Sequence, residues 1–504
     1  MKKVFAVVLM VVLSLTVVSA LFACNLDEED GTTITFYTTM GQTLTPILDK
    51  YIEKFNQIYP DITVKYEAGS SYDDVKDKVS KEIQVGKGPN VAYCYPDHVA
   101  LYNRSKKVVV LDDYINSTDV VPAGKFGNTE DMPIGLTTEQ INDFVPAYYN
   151  EGKAFGDDKM YMLPFSKSTE VLYYNVEAFK AAGLVDADGN AQVPTHWWCS
   201  ESCPENCTTS MEYVCKKLKE WDSYCIPLGY DSEANWFITM TEQLGTPYTS
   251  ATGNHYLFNN DENKAFCTRF SNWYANGWVT TSGIYGSYTS GLFVNEPSSG
   301  PNAKDSKGNA IVKSYMSIGS SAGATHQAPT MTDGKAPFTV GISSIPQANA
   351  SSPKVISNGP SVCILGNATE DQKLASWLFI KYFTTNVEFQ VQFSMTSGYV
   401  PVIESVSDNA TFKAHLASAD GTKNGIAALS SQVCWDQKNA YFVSPAFSGS
   451  SKARSEAESL LQTCLGASKD ADGNVVSADA IKAAIDAAFT RAVANCEYSY
   501  PSDK

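Results

Sequence analysis

The first hundred residues alternate strand-like and helix-like patterns, and this order constrains the fold more than any other feature of the chain. Thr33 to Thr38 (TITFYT) alternates as a strand does, and Thr43 to Tyr59 carries apolar residues at helical spacing. Ile62 to Tyr66 then predicts a strand, Asp73 to Gln84 a helix and Val91 to Tyr95 a third strand. A β-α-β-α-β order predicts an α/β fold with a parallel sheet covered by helices. Ligands of such sheets bind beyond the carboxyl ends of the strands.

The N-terminus predicts export. Two lysines precede an apolar stretch from Val4 to Ala20, as in a secretory signal peptide. The sequence LFAC that ends at Cys24 resembles a bacterial lipobox, so we expect removal of residues 1–23 and lipidation of Cys24, for example with palmitate. Residues 24–31 would then form a tether, and two or more acyl chains would hold the protein on the outer face of the cell membrane. An uncleaved transmembrane anchor is the alternative.

The composition and net charge of the chain limit the classes of partner that it is expected to bind. A chain of 504 residues with 43% hydrophobic and 18% charged residues is typical of a globular protein of two or three domains. The formal net charge is −17, and it becomes −19 after loss of the two N-terminal lysines. Such an acidic protein is not expected to bind nucleic acid.

The chain has 12 cysteines, and five of them lie close together in one segment: Cys199, Cys203, Cys207, Cys215 and Cys225. Their spacing does not match paired CxxC zinc motifs, and exported chains form disulfides, so we predict disulfides and no metal site. Plausible pairs are Cys215 with Cys225 and Cys464 with Cys496. Eleven cysteines remain besides Cys24, an odd number that leaves at least one free thiol, with Cys94 or Cys363 suited to that role. Zinc bound by His196 and these cysteines is the alternative.

Motifs for catalysis are scarce. The sequence contains no HExxH and no P-loop, and its five histidines are scattered. We therefore predict no catalytic residues, no cofactor and no enzymatic activity.

Residues 164–179 (PFSKSTEVLYYNVEAF) resemble the signature of the family 1 extracellular solute-binding proteins of bacterial ABC importers, which include maltose- and glycerol-3-phosphate-binding proteins. Further resemblance lies in YTTMGQ (37–42), SIGSSAGA (317–324), SNGPSVCIL (357–365) and WLFIKYFTTNVEFQVQFSMTSGYVPV (377–402). Ala181, the Cys-rich segment 199–225 and the segment 281–310 depart from the family pattern.

The resemblance implies a periplasmic-binding-protein-like type II fold, with two α/β lobes around a ligand cleft and more than one crossover. We assign 32–145 plus 312–362 to the N-terminal lobe and 146–311 plus 363–504 to the C-terminal lobe. It also implies a monomer that closes on its solute and delivers it to the transmembrane permease subunits of the importer.

A carbohydrate is the expected ligand, because short hydroxyl side chains such as Ser166, Ser168 and Thr169 can donate and accept hydrogen bonds. The same hydroxyls could instead cap or turn the backbone. The resemblance implies these cleft residues: Thr39, Gln42, Tyr95, Asp97, Ser168, Trp236, Ser321, Gly359 and Tyr399. Asp97 would accept sugar hydroxyls, Trp236 would stack on a sugar ring unless it is a core residue, and Tyr399 would close the cleft from the second lobe.

Three alternatives remain open. The first is glycerol-3-phosphate or another polyol phosphate, which the lack of a cation near Ala446 and Phe447 disfavours when that segment is aligned on Arg454. The second is a surface zinc hydrolase built on His196 and the cysteines. The third is an adhesin or sensor subunit with the same fold.

Overall fold

The computed structural model describes residues 31–200, 203–294, 300–331, 333, 335–422 and 425–503. The predicted signal peptide, the lipidation site Cys24 and the tether up to residue 30 lie outside these residues. None of the helices in the described part of the chain combines the length and the apolarity needed to cross a membrane.

The strands of the described chain form two five-stranded sheets and two short pairs. They are β1 (Thr32–Thr38), β2 (Ile62–Ala68), β3 (Val91–Cys94), β4 (Val120–Val121), β5 (Met132–Pro133), β6 (Leu163–Pro164), β7 (Glu170–Asn175), β8 (Leu228–Tyr230), β9 (Val279–Thr281), β10 (Met316–Ser320), β11 (Val340–Ser344), β12 (Val355–Ile356), β13 (Ser361–Ile364) and β14 (Tyr441–Phe442).

Helices cover both sheets. They are Thr45–Ile58, Tyr72–Gln84, Pro96–Tyr102, Asp112–Ile115, Thr138–Asp143, Pro146–Asn150, Val176–Ala181, Met211–Trp221, Glu233–Leu244, Asp261–Ala275, Ser282–Tyr285, Ser290–Val294, Glu370–Thr385, Val387–Ser397, Ala410–Ala417, Ile426–Asp436, Ser450–Gly466 and Ala478–Ser499.

The first sheet has the order β2-β1-β3-β13-β6, and β1 runs parallel to both β2 and β3. The parallel β-α-β-α-β unit predicted from the sequence is therefore confirmed. Pro46 and Pro60 explain the limits of its first helix, since proline suits the first turn of a helix and cannot continue one. Strand β13 runs antiparallel to both of its neighbours, β3 and β6.

The second sheet, of order β11-β7-β10-β8-β9, corrects the predicted lobe boundaries. Strands β10 and β11 fall in the segment 312–362 assigned to the N-terminal lobe, yet both pair with β7 of the second sheet. The helices Glu370–Thr385 and Val387–Ser397 pack on the core of the first sheet, although the prediction placed them in the other lobe. The apolar spacing of residues 371–393 predicts a single helix. The structure instead breaks this segment at Asn386, whose side chain caps a second helix.

The chain passes between the lobes at three neighbouring places. Residues 165–169 lead from β6 to β7, residues 357–360 lead back to β13, and residues 398–402 lead from the helix Val387–Ser397 to the second lobe. The backbone of Ser168 pairs with that of Asn358, and the backbone of Lys167 pairs with that of Val400. These crossovers therefore form one hydrogen-bonded hinge region between the two sheets.

A buried ion pair lies in this hinge region. The Lys167 Nζ atom is 2.7 Å from Glu151 Oε2, and the two side chains are 0% and 1% exposed. Lys167 also donates to Ser361 Oγ at 3.0 Å, and Ser357 donates to Glu151 Oε2 at 2.9 Å. A buried charge is stable only when it is paired and hydrogen-bonded, and each partner here satisfies the other.

The predicted disulfides are not present among the described residues. All eleven cysteines from Cys94 onward are thiols, and eight of them are buried, where a thiol packs as a small apolar group. Cys464, which was suggested as the partner of Cys496, lies instead beside Cys267 of the helix Asp261–Ala275. Three of the remaining thiols, at 199, 203 and 207, lie near the surface.

We predict that Lys167→Ala lowers the free energy of unfolding by about 3–5 kcal/mol, because it leaves the Glu151 carboxylate buried without a cation. The midpoint of urea unfolding measures the change. Lys413→Ala is the matched control, since the Lys413–Asp408 pair is exposed and its loss should cost about 1 kcal/mol or less. Equal midpoint shifts for the two variants would contradict the role given to the buried pair.

Candidate functional site

A cavity of about 110 Å³ lies between the lobes. One water needs at least roughly 10–15 Å³ of cavity space, so this cavity holds several waters and a small polar solute fits. The lining residues of this cleft cavity are Tyr95, Pro96, Asp97, Ile238, Tyr248, Thr249, Ile356, Ser357, Asn358, Val443, Ser444, Pro445, Ala446, Ser450 and Arg454.

The first lobe contributes the carboxyl end of β3. Tyr95 precedes the helix Pro96–Tyr102, which proline starts, and Asp97 lies in the first turn of that helix. Asp97 Oδ2 accepts a hydrogen bond of 2.7 Å from Ser451, which belongs to the helix Ser450–Gly466. Burial raises the pKa of Asp97, but His98, the Ser451 hydroxyl and the Arg454 guanidinium outweigh burial, so the pKa lies below its usual value. Asp97 is therefore a charged acceptor in the cavity.

The helix Ser450–Gly466 contributes Arg454 to the wall of the cleft cavity. Arg454 is the one lysine or arginine among the residues that line this cavity. Its guanidinium donates to Asn235 Oδ1. Asn235 in turn donates to Glu170 Oε1 at 2.9 Å, and Tyr230 donates to Glu170 Oε2 at 2.6 Å. A chain of hydrogen bonds thus fixes the cation from the second sheet.

Glu170 lines a second cavity, which lies at the carboxyl ends of β8 and β10. This second cavity also contains Asp231, Asn235, Ser320 and His326 in its wall. Burial raises the pKa of Glu170 to about 7, although its hydrogen bonds from Tyr230 and Asn235 act in the opposite direction. Near neutral pH this carboxyl group therefore carries a proton for much of the time.

Five of the nine predicted site residues fall into three groups by their position relative to the cleft cavity. Tyr95 and Asp97 line the cleft cavity. Ser168 is buried and pairs through its backbone with Asn358, which lines the cavity, so Ser168 positions a wall residue. Thr39 is half-buried and Gln42 is exposed, and the structure places neither in the wall of the cleft cavity.

Three further predicted residues have structural contacts. Gly359 has φ +85°, and a Cβ there would lie 2.6 Å from Ser166 O, so the close approach it permits is to the crossover backbone rather than to a ligand. Ser321 is buried and its Oγ accepts from Thr169 N at 3.1 Å. Tyr399 packs against the core of the first sheet, and its hydroxyl lies 3.0 Å from that of Tyr72.

Trp236 is a core residue, which corrects its predicted role as a stacking platform. Its side chain is 0% exposed. The ring stacks on Tyr230 at 4.7 Å with an interplanar angle of 11°, and it contacts Phe270 at 4.2 Å. An aromatic residue after a strand has the same local pattern in a core as in a cleft, so the sequence alone does not separate the two.

Residues 319–323 (GSSAG) have the GxSxG spacing of a hydrolase nucleophile elbow, and Ser321 follows strand β10 at the expected place. The buried Ser321 hydroxyl, however, lies between the Thr169 amide and the Cys434 thiol. A nucleophilic serine needs a base and access to substrate. This geometry provides neither, so Ser321 has a packing role.

Sequence reasoning missed Arg454, Asn358, Tyr248 and Glu170. Arg454 is 219 residues from its hydrogen-bond partner Asn235, and no local pattern connects the two. Its position contradicts the sequence argument that the cleft lacks a cation. Asn358 lies in the segment 357–365, where the family resemblance implies its neighbour Gly359 as the cleft residue.

Two α/β lobes joined by several crossovers around such a cavity define the class of type II periplasmic-binding-protein-like folds. Residues 50–419 match the family described as bacterial extracellular solute-binding protein. The match covers more than half of the chain, and the chain belongs to this family.

Curated relatives match a shorter segment. The sn-glycerol-3-phosphate-binding periplasmic protein UgpB of Salmonella typhimurium is 27% identical over 153 residues, which cover 30% of this chain and 31% of the relative. The protein of the same name from Escherichia coli K12 is 26% identical over 153 residues, with the same coverage. The alignment thus spans about a third of the length of these relatives.

Solved structures match nearly the whole chain in fold. UgpB from Mycobacterium tuberculosis, in complex with glycerophosphocholine, has a TM-score of 0.65 at 16% identity and covers 93% of this chain and 99% of its own. The cyclic alpha-maltosyl-1,6-maltose binding protein from Arthrobacter globiformis has a TM-score of 0.63 at 14% identity and covers 93% and 100%. At these identities the likeness establishes the fold alone.

We predict that Trp236→Ala lowers the free energy of unfolding by about 3–5 kcal/mol, as expected for an aromatic residue removed from a packed core. Solute affinity of the folded protein should stay unchanged, because the ring lies outside the cleft cavity. Chemical unfolding and calorimetric titration measure the two quantities. Trp236→Phe is the matched control and should retain most of the stability. A large loss of affinity with stability kept would restore the sequence-based role.

Proposed function

We propose that this chain is the solute-binding component of an ABC importer, and that it captures a mono- or oligosaccharide between its lobes and delivers it to the permease. The observation that carries the proposal is the pairing of a charged acceptor, Asp97, with a charged donor, Arg454, in one inter-lobe cavity. Sugar hydroxyls both donate and accept hydrogen bonds, so a site that offers both groups suits them.

The other wall residues support a carbohydrate. Asn358 offers an amide, and Ser357, Ser444 and Ser450 are hydroxyl-bearing residues of the wall. Tyr95 and Tyr248 offer aromatic rings, which can cover the C–H surface of a sugar. The solved relative from Arthrobacter globiformis is a cyclic alpha-maltosyl-1,6-maltose binding protein, which agrees with this ligand class.

Glycerol-3-phosphate or a related polyol phosphate is the second candidate. Arg454 favours it, because a guanidinium pairs well with phosphate oxygens. The curated relatives are sn-glycerol-3-phosphate-binding proteins, and one solved relative is in complex with glycerophosphocholine. Asp97 opposes it, since its carboxylate lies near the same guanidinium and would repel a phosphate anion.

Delivery to a permease requires the two lobes to respond to the solute. The Asp97–Ser451 hydrogen bond joins the first lobe to a helix that packs on the core of the second. We propose that solute binding stabilises this closed arrangement and that the closed monomer docks on the membrane subunits. We further propose that the protein is tethered outside the cell membrane through lipidated Cys24.

Two substitutions separate the ligand classes. For a neutral sugar, Asp97→Asn should weaken binding by about three- to tenfold, because a neutral amide oxygen accepts more weakly than a carboxylate and the solute already competes with the Ser451 hydroxyl for this group. For a polyol phosphate, Arg454→Gln should weaken binding at least as much, whereas Asp97→Asn should not weaken it. A thermal-shift screen of sugars and polyol phosphates identifies the solute, and calorimetry then measures each dissociation constant.

Two controls complete this test. Arg491→Gln changes an exposed arginine of the last helix and should leave affinity unchanged. Ser451→Ala keeps the Asp97 carboxylate and reports the effect of the inter-lobe hydrogen bond alone. Unchanged affinity in both Asp97→Asn and Arg454→Gln would remove the cleft cavity from consideration as the solute site.

The tether is tested by Cys24→Ala. The variant should be released from membranes while it stays folded, because the acyl chains supply the membrane affinity. Fractionation after a high-salt wash measures the distribution, and Cys434→Ala, which changes a buried cysteine, should stay with the membranes. Sedimentation of Cys24→Ala with the membrane fraction would contradict lipid anchoring at this residue.

A further inference from the structure

Four metal-binding side chains meet on the surface of the second lobe, outside both cavities. They are His196, Cys199, Cys203 and Cys207, and one ligand atom from each lies within 4.8 Å of all the others. The His196 Nε2 atom is 3.9 Å from the sulfur of Cys199, 3.7 Å from that of Cys203 and 3.3 Å from that of Cys207. We propose that this His-Cys₃ cluster is a structural zinc site.

The separations suit tetrahedral zinc. Zn–S bonds of about 2.3 Å and a Zn–N bond of about 2.0–2.1 Å place nitrogen about 3.6 Å from each sulfur in a tetrahedron. The three distances from His196 Nε2 to the sulfurs, 3.3, 3.7 and 3.9 Å, lie on both sides of that value. A nitrogen and three soft sulfurs in this geometry select zinc over the hard cations Mg²⁺ and Ca²⁺.

Groups around the cluster orient its ligands. The other ring nitrogen of His196, Nδ1, is 3.2 Å from Thr195 Oγ1, which fits the outer partner that metal-bound histidines usually have. The Thr209 hydroxyl lies 3.7 Å from the Cys207 sulfur, and the Ser200 hydroxyl lies 3.8 Å from the Cys203 sulfur. Hydroxyl groups at these distances can donate to thiolates.

The backbone holds the four ligands in a closed loop. Thr195 N donates to Thr209 O at 2.9 Å, so the two ends of the loop meet, and Cys203 N and Cys207 N each close a turn at 3.0 Å. The residue after His196, Trp197, is 1% exposed and donates to Gln243 Oε1 at 2.8 Å. The loop is therefore anchored in the core next to the first ligand.

The proposed site is structural rather than hydrolytic. Catalytic zinc sites keep one position for water or substrate, whereas four protein ligands fill a tetrahedron. Binding of Zn²⁺ to three thiols and a neutral imidazole releases three protons to solvent and forms three Zn–S bonds and one Zn–N bond. The metal would connect the four ligand residues of this loop to one another.

Zinc content tests the proposal directly. The full-length protein is solubilised from the cell envelope without chelator or added metal, and its zinc is measured per chain. We expect about one zinc per chain in the wild type, and less than about 0.2 in Cys207→Ala. Cys496→Ala removes a buried cysteine outside the cluster and should keep the metal.

A second measurement uses the wild type, so it does not depend on the folding of a variant. Replacement of zinc by Co²⁺ should give the strong absorption of a tetrahedral thiolate complex. Chelation should expose Cys199, Cys203 and Cys207 to alkylation and lower the Tm by about 3 °C or more. The solute dissociation constant should change by less than about threefold, because no ligand of the metal lines the cleft cavity.

Two results would overturn the proposal. One is a disulfide between any two of these three cysteines in protein taken from the cell envelope, whatever metal the reduced protein binds afterwards. The other is octahedral Co²⁺, or no metal, in protein whose three thiols are reduced. Loss of solute binding in Asp97→Asn would leave the zinc proposal unaffected, so the two proposals fail independently.

Discussion

The buried Lys167–Glu151 ion pair is the interaction on which the arrangement of the two lobes depends. Lys167 lies in the crossover from β6 to β7, and its ammonium group also reaches Ser361 at the start of β13. Glu151 accepts a hydrogen bond from Ser357, which lines the cleft cavity. Two crossovers are thus joined through charges that are buried from solvent. Separation of these groups would leave two buried charges unpaired, which favours the side-chain arrangement seen in the hinge region.

The fold of the first hundred residues could be predicted because each element has its own period and its own limits. The later boundaries could not, because strands β10 and β11 join the second sheet through pairing with β7, and pairing is a property of distant segments. The helix predicted from 371 to 393 had continuous apolar spacing, and the side chain of Asn386 nevertheless starts a new helix. The local sequence pattern therefore predicts whether a segment is a helix or a strand better than it predicts which sheet or lobe the segment joins.

The candidate site was predictable in part for the same reason. Tyr95 and Asp97 follow a strand of the parallel sheet, where the general rule for such sheets expects ligands. Arg454 comes from a helix near the C-terminus, and the packing of that helix against Glu233–Leu244 and Pro96–Tyr102 brings it to the cavity. Trp236 had an equally suitable local context and lies in the core. The intervals between the cysteines match no CxxC motif, whereas the proposed zinc site includes His196, three residues before Cys199.

The hydrogen bond from Ser451 to Asp97 makes the protein a competitor of its own ligand. A solute hydroxyl that binds this carboxylate has to displace or share a serine hydroxyl of the same chemical type. The net gain from that contact is then the difference between two similar bonds, which is small. Discrimination among solutes would fall instead to the contacts that no serine can imitate, such as a ring against Tyr95 or Tyr248. A weak net contact at the carboxylate would also let the solute leave quickly, which suits a carrier that has to release its cargo.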